Sequence, residues 1–105
     1  MQTSISARHG HLSAATKGKI TDKVDKLRRF FDRLTAIQVT IDLGDADHIK
    51  VEVRASAEHA KDFVASGTSS ELFAGLDGVV QKIEQQLRRH KDRIQTGHRQ
   101  PEKTG

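Results

Sequence analysis

Cysteine is absent from the 105 residues of this chain. Disulfide frameworks, thiolate zinc sites, iron–sulfur clusters and a cysteine nucleophile are thereby excluded. Tryptophan and tyrosine are absent too, phenylalanine occurs four times, and proline once. So few rings cannot easily furnish a stacking platform for unpaired bases. No apolar run approaches the ~20 residues of a membrane span, and the opening MQTSISARHGH lacks the apolar core of a secretory signal. These features read as a soluble, cytoplasmic chain with no membrane partner. What is present is charge: 18 Lys and Arg against 14 Asp and Glu, a formal net charge of +4. A chain of this length suits one domain that buries about two-thirds of its unfolded surface, which makes a deep internal active site hard to build.

The apolar period changes along the chain and divides it. Residues Gln2 to Ala7 alternate Ser, Thr and Ile, which suits a first strand with Ile5 inward. Gly10 breaks it, and Ser13 is placed to cap a helix. Ile20, Val24, Leu27, Phe31 and Leu34 then fall on one helical face, predicting a helix to Leu34. From Ile37 to Leu43 the period is two. A Gly/Asp turn at 44–48 leads to a second alternating run, Ile49 to Ala57, so the pair reads as a hairpin. A loop at 58–61 precedes a fourth strand at 62–67. Thr68 and Glu71 have the spacing of a capping box for a last helix, which carries Leu72, Leu76, Val79, Ile83, Leu87 and Ile94. That helix is expected to run to about Arg93. Residues 96–105, with the only proline, read as a flexible polar tail behind a single domain at 1–95. The order is β-α-β-β-β-α. The economical α+β packing sets two helices on one face of a four-stranded, mainly antiparallel sheet and leaves the other face solvated.

On helical wheels the charges separate. Lys19, Lys23, Lys26 and Arg33 share an arc beside the first helix's apolar face; Lys82, Arg89 and Arg93 line one edge of the last helix. Asp77 and Glu84 lie away from that edge. Singly, each stripe reads as an ordinary solvated face. Two such stripes along a shared ridge would span a phosphate backbone. With no aromatics on its solvated face, the sheet is not a base-stacking platform, so the helices and their cations point to structured RNA read by shape and phosphates.

The segments TSISARHGHLS, KVDKLRRFFDRL, VTIDL, VEVRA and ELFAGLDGVVQKIEQQLRRHKDR resemble the bacterial ribosome hibernation promoting factors, also described as ribosome-associated inhibitors or ribosomal subunit interface proteins. The resemblance covers about Met1 to Ile94. It is most specific in the last helix, through Phe73, Leu76 and Asp77 and then the run from Lys82 to Lys91. It implies the same element order, similar to a double-stranded RNA-binding domain. It also implies binding to the small ribosomal subunit and its 16S ribosomal RNA, as well as to whole ribosomes. There the domain would overlap the messenger and transfer RNA sites and block translation in stationary phase or stress. The contacts implied are Lys23, Lys26 and Arg29 on the first helix, Lys82, Arg89 and Lys91 on the last, and Arg8 in the Ser-Ala-Arg-His segment. Departures are Gln85, where the family often has Arg; Gly10 and Gly18, where larger residues are common; and the loop from Ala57 to Lys61, which replaces a Gly-containing one. By length the chain looks like a short form, without the second, dimerising domain. Some short forms act with a separate small ribosome modulation factor.

Enzyme readings gain little. His9 and His11 offer two metal ligands with no evident third, and His90 lies on the apolar side of the last helix, as a packed or capping residue would. Ser69 and Ser70 read as helix-capping residues, and Gly75 and Gly78 lie inside a helical pattern rather than a phosphate loop. No catalytic residue, metal site, cofactor or small-molecule substrate is expected. Two alternatives stay open: a general structured-RNA module with another target, and a homodimerising module that uses an exposed sheet edge.

Overall fold

The computed structural model describes the backbone of residues 2–103 and the side chains of residues 2–94. Along the chain run β1 (Gln2–Arg8), α1 (Ala14–Asp25), α2 (Leu27–Phe30), β2 (Leu34–Asp42), β3 (Ile49–Ala57), β4 (Phe63–Ser69) and α3 (Leu72–Lys103). The sheet order is β1-β2-β3-β4. β1 pairs parallel with β2, which the helical crossover between them permits; the remaining pairs are antiparallel. The α+β reading with helices over one face therefore holds.

The core lies between sheet and helices. Ile20, Val24 and Leu27 from the first helical pair and Leu76, Val79, Val80, Ile83 and Leu87 from α3 close over Ile37, Val39, Ile41, Val51, Val53 and Ala55. Ser13 caps α1 as its position suggests, its hydroxyl accepting from the Thr16 N–H at 3.1 Å. His90 is packed edge-on between the rings of Phe31 and Phe63, with centroids 5.3 Å away in each case.

Four boundaries differ from the sequence reading. The first helix stops at Phe30, and Phe31 is already extended. Leu34 keeps its place in the core as a strand residue. A bulge between Leu34 and Ala36 lets both Leu34 and Ile37 face inward, although an odd spacing would put them on opposite faces. Helical spacing of Leu34 was thus coincidental. A tightened turn at Lys26, where the Arg29 N–H donates to the Lys26 carbonyl, also splits that helix into α1 and α2. Thr68 belongs to β4. The residue that caps α3 is Glu71, whose carboxylate accepts from the N–H groups of Phe73 at 2.8 Å and Ala74 at 2.9 Å. The box residue itself does the capping because a carboxylate at a helix start meets both free N–H groups and the positive end of the dipole. Finally, α3 runs on to Lys103 rather than ending near Arg93. The helix continues past the last apolar turn although Gly97 and Pro101 within this stretch are poor helix formers. Residues 104 and 105 of the expected tail lie outside the described residues.

β1 and β4 are the edge strands. On β4, Lys82 Nζ donates to the Ser66 carbonyl and Gln86 Nε2 to the Val64 carbonyl, each at 2.9 Å. Two side chains one helical turn apart thus occupy alternate carbonyls of the free edge and cover it. Among the described residues no partner meets the outer edge of β1.

Candidate nucleic-acid interface

Burying Ile20, Val24 and Leu27 fixes where the neighbouring lysines go. Lys19, Lys23 and Lys26 stand on the flank of α1 that faces α3. On α3 the core stripe likewise leaves two flanks. Lys82, Gln86, Arg89 and Arg93 follow β4; Phe73, Asp77, Glu84 and Lys91 turn towards α1 and α2.

Folding therefore brings the acids of α3 against the lysines of α1. Lys23 Nζ lies 2.9 Å from Asp77 Oδ1, and Lys26 Nζ lies 3.8 Å from Glu84 Oε1. A cleft of about 360 Å³ between the helices is lined by Lys23, Lys26, Asp77, Gln81 and Glu84. Asp77 and Glu84 are indeed remote from the Lys82 edge, but they are not remote from basic residues. A single-helix wheel cannot show which flank meets the neighbouring helix.

Two phenylalanines sit at the rim of the core under this surface. The Lys19 and Lys23 ammonium groups lie 5.7 and 5.8 Å from the Phe73 ring centre, and the Arg88 guanidinium lies 5.2 Å from that of Phe30. Such rings hold cations over their faces. Phe73 is half-buried, its ring shared between the core rim and these cations. Lys19 and Arg88, absent from the expected contact set, join Lys23 and Lys26 on this surface. Helix-wheel spacing was their only sequence signal.

The remaining expected residues separate. Arg29 on α2, and Arg89 and Lys91 on α3, are exposed, and among the described residues none of them makes an ion pair. Lys82 is committed to the β4 edge. Arg8 lies on the opposite layer: it is paired in register with Asp42 and shares a small hollow with Thr40, Asp42, Lys50 and Glu52 on the open sheet face. The fold therefore gathers six of the seven around the helical layer and leaves Arg8 apart.

At one end of the open face two aspartates are held ionised. The Gly44 N–H, at 2.9 Å, and then the His9 ring, at 3.0 Å, keep the Asp42 carboxyl below the usual carboxylate range. The Asp47 N–H and then His48 do the same for Asp45. No group of three or more His, Asp or Glu side chains among the described residues is arranged to hold a metal. Among the described residues no helix is long and apolar enough to cross a membrane.

Known proteins are similar to this chain in sequence and in fold. A ribosome hibernation promoting factor of Salmonella typhimurium is 28% identical over 97 residues, spanning 90% of this chain and 97% of its own length. One of Azotobacter vinelandii is 27% identical over 94 residues, spanning 89% of this chain and 85% of its own. Among solved structures, a ribosomal subunit interface protein from Coxiella burnetii superposes with a TM-score of 0.78 at 16% identity, covering 88% of this chain and 99% of the other. The N-terminal domain of Thermus thermophilus Protein Y superposes at 0.73 with 18% identity, covering 83% and 94%. These two likenesses establish a shared fold. The family model described as Sigma 54 modulation protein / S30EA ribosomal protein matches residues 3–95, and the chain belongs to that family.

Proposed function

We propose that this chain is a non-enzymatic, ribosome-binding inhibitor of translation that works in the cytoplasm. It occupies the messenger and transfer RNA channel of the small subunit in stationary phase or stress. The observation that carries this is the set of exposed cations on the helical layer, Arg29, Arg88, Arg89 and Lys91, in a chain whose family and relatives are named for ribosomes and hibernation. Lys23, Lys26, Arg29, Lys82, Arg89 and Lys91 would meet phosphates of the 16S ribosomal RNA, with affinity arising from counterion release rather than base readout. A separate small modulation factor is the partner expected where ribosomes are paired.

Sedimentation with purified small subunits over a potassium chloride series tests this. Wild type co-sediments at low salt and is released as salt rises. Arg29→Glu with Arg89→Glu weakens binding about ten-fold or more and lowers the salt slope by roughly two counterions. Both side chains are exposed and free of ion pairs among the described residues, so the fold survives, which circular dichroism checks. Lys82 is a poorer choice because its substitution also uncovers the β4 edge. Absence of wild-type co-sedimentation, or undiminished binding by the double variant, overturns the proposal.

A further inference from the structure

The cleft between α1 and α3 alternates in sign, and its charges cancel: Lys23 with Asp77, Lys26 with Glu84. We infer that Asp77 and Glu84 determine specificity, admitting RNA to this cleft and turning away polyanions that present phosphates alone. This rests on the ribosomal RNA reading above and names the residues that would select for it.

Structural support alone is a poor reason for Asp77, which is 55% exposed against 34% for Lys23, since a pair so open to solvent adds little to stability. Glu84 is more enclosed, at 18% exposed, but its carboxylate lies 3.8 Å from the Lys26 ammonium, too far for a hydrogen bond, so that pair is loosely held and free to re-partner. Their effect on a docking polyanion is larger. A phosphate that approaches Lys23 or Lys26 finds each ammonium already facing a carboxylate, and it must displace that carboxylate or lie beside it. A ligand with only phosphates to offer meets repulsion at two points separated by seven residues, about 10.5 Å along α3. An RNA minor groove offers something else beside its phosphates, a row of 2′-hydroxyl donors. A carboxylate accepts from such a donor, and a charged acceptor makes the stronger bond. Asp77 and Glu84 can then turn from the lysines to 2′-hydroxyls while the lysines turn to phosphates. Every group finds a partner with RNA, whereas DNA leaves both carboxylates facing phosphate. Discrimination arises from the penalty on the wrong ligand as much as from attraction to the right one.

The test compares wild type with Asp77→Asn, Glu84→Gln. Both substitutions keep size and an acceptor oxygen while removing charge. Each protein is titrated with an RNA duplex, a DNA duplex of the same sequence, and small ribosomal subunits, at one salt concentration. Thermal melting confirms that the variant folds. The double variant should bind DNA about ten-fold more tightly and RNA within about three-fold of wild type, so that the preference for RNA collapses. Equal gains on both duplexes, or no gain on DNA, overturn the inference while subunit binding by wild type leaves the ribosomal reading standing. Failure of wild type to bind subunits overturns that reading and this inference with it. As a second handle, Asp77→Asn alone, at the more exposed site, should give part of the DNA gain; its absence counts against the inference.

Discussion

Asp42 and Asp45 show how single side chains hold the β2–β3 connection. Each carboxylate accepts from a backbone N–H two residues on and from a histidine ring. Both stay ionised to lower pH in the folded chain than in the unfolded one. As pH falls, the unfolded chain takes up these protons first, so the support is full above the ordinary carboxylate range and fades as pH drops through the folded values. Melting temperature measured from neutral pH down to about pH 2 should fall on this acid limb. Asp42→Asn with Asp45→Asn should melt lower at neutral pH, show a shallower limb and converge with wild type in acid. Parallel curves would place the acid sensitivity in other groups. The turn itself was legible as Gly44, Asp45 and Asp47 between alternating runs. The partnership with His9 was not, because it joins residues 33 apart in sequence.

Helix α3 carries Gly75 and Gly78 within its first two turns, and the two differ in surroundings. A Cβ at Gly75 would lie 3.1 Å from Ser69 Cβ and 3.6 Å from Val51 Cγ2, where the helix crosses the sheet closely. At Gly78 it would meet nothing within 4 Å. Gly78→Ala should therefore stabilise the protein by about 0.5–1 kcal/mol, through helix propensity alone. Gly75→Ala spends that gain on displacing Ser69 and should melt below wild type. Scanning calorimetry separates them, and equal shifts would mean that the close crossing does not constrain Gly75. Both glycines read from the sequence as helical positions, and only the structure shows that one of them is closely packed. Periodicity identified all four strands and both amphipathic faces because those faces are the core. It missed the bulge at Leu34 because a bulge depends on strand pairing. Capping-box spacing put the cap at Thr68 because spacing does not tell whether Glu71 reaches back to the residue three before it or accepts from the N–H groups just ahead. A helical stripe and a bulged strand can place the same leucine in the same core.

Taken whole, the molecule has two surfaces of different electrical character. The helical layer combines cancelled pairs in its cleft with exposed cations around it; the open sheet face alternates Arg8, Asp42 and Lys50 in one cross-strand row. Opposite signs in neighbouring positions lower the field such a row projects at a distance, and a screening length of about 8 Å in physiological salt removes much of the rest. On the proposed function a polyanion would dock on the helical side, and Arg8, on the other layer, would share it only where the ligand wraps the end of β1. The parity that sets Arg8 apart was already in the sequence, since with Ile5 inward a residue three further along the strand faces out; the strand expected from the sequence ends at Ala7, so that parity was not carried to Arg8. Substitution distinguishes the surfaces. Arg89→Ala should lower the slope of log affinity against log salt for small subunits by nearly one. Arg8→Ala should leave that slope unchanged and the affinity within about two-fold. A loss at Arg8 equal to that at Arg89 would require a ligand that grips both layers at once, and the contact surface would then have to extend from α3 around the β1 end to the open sheet.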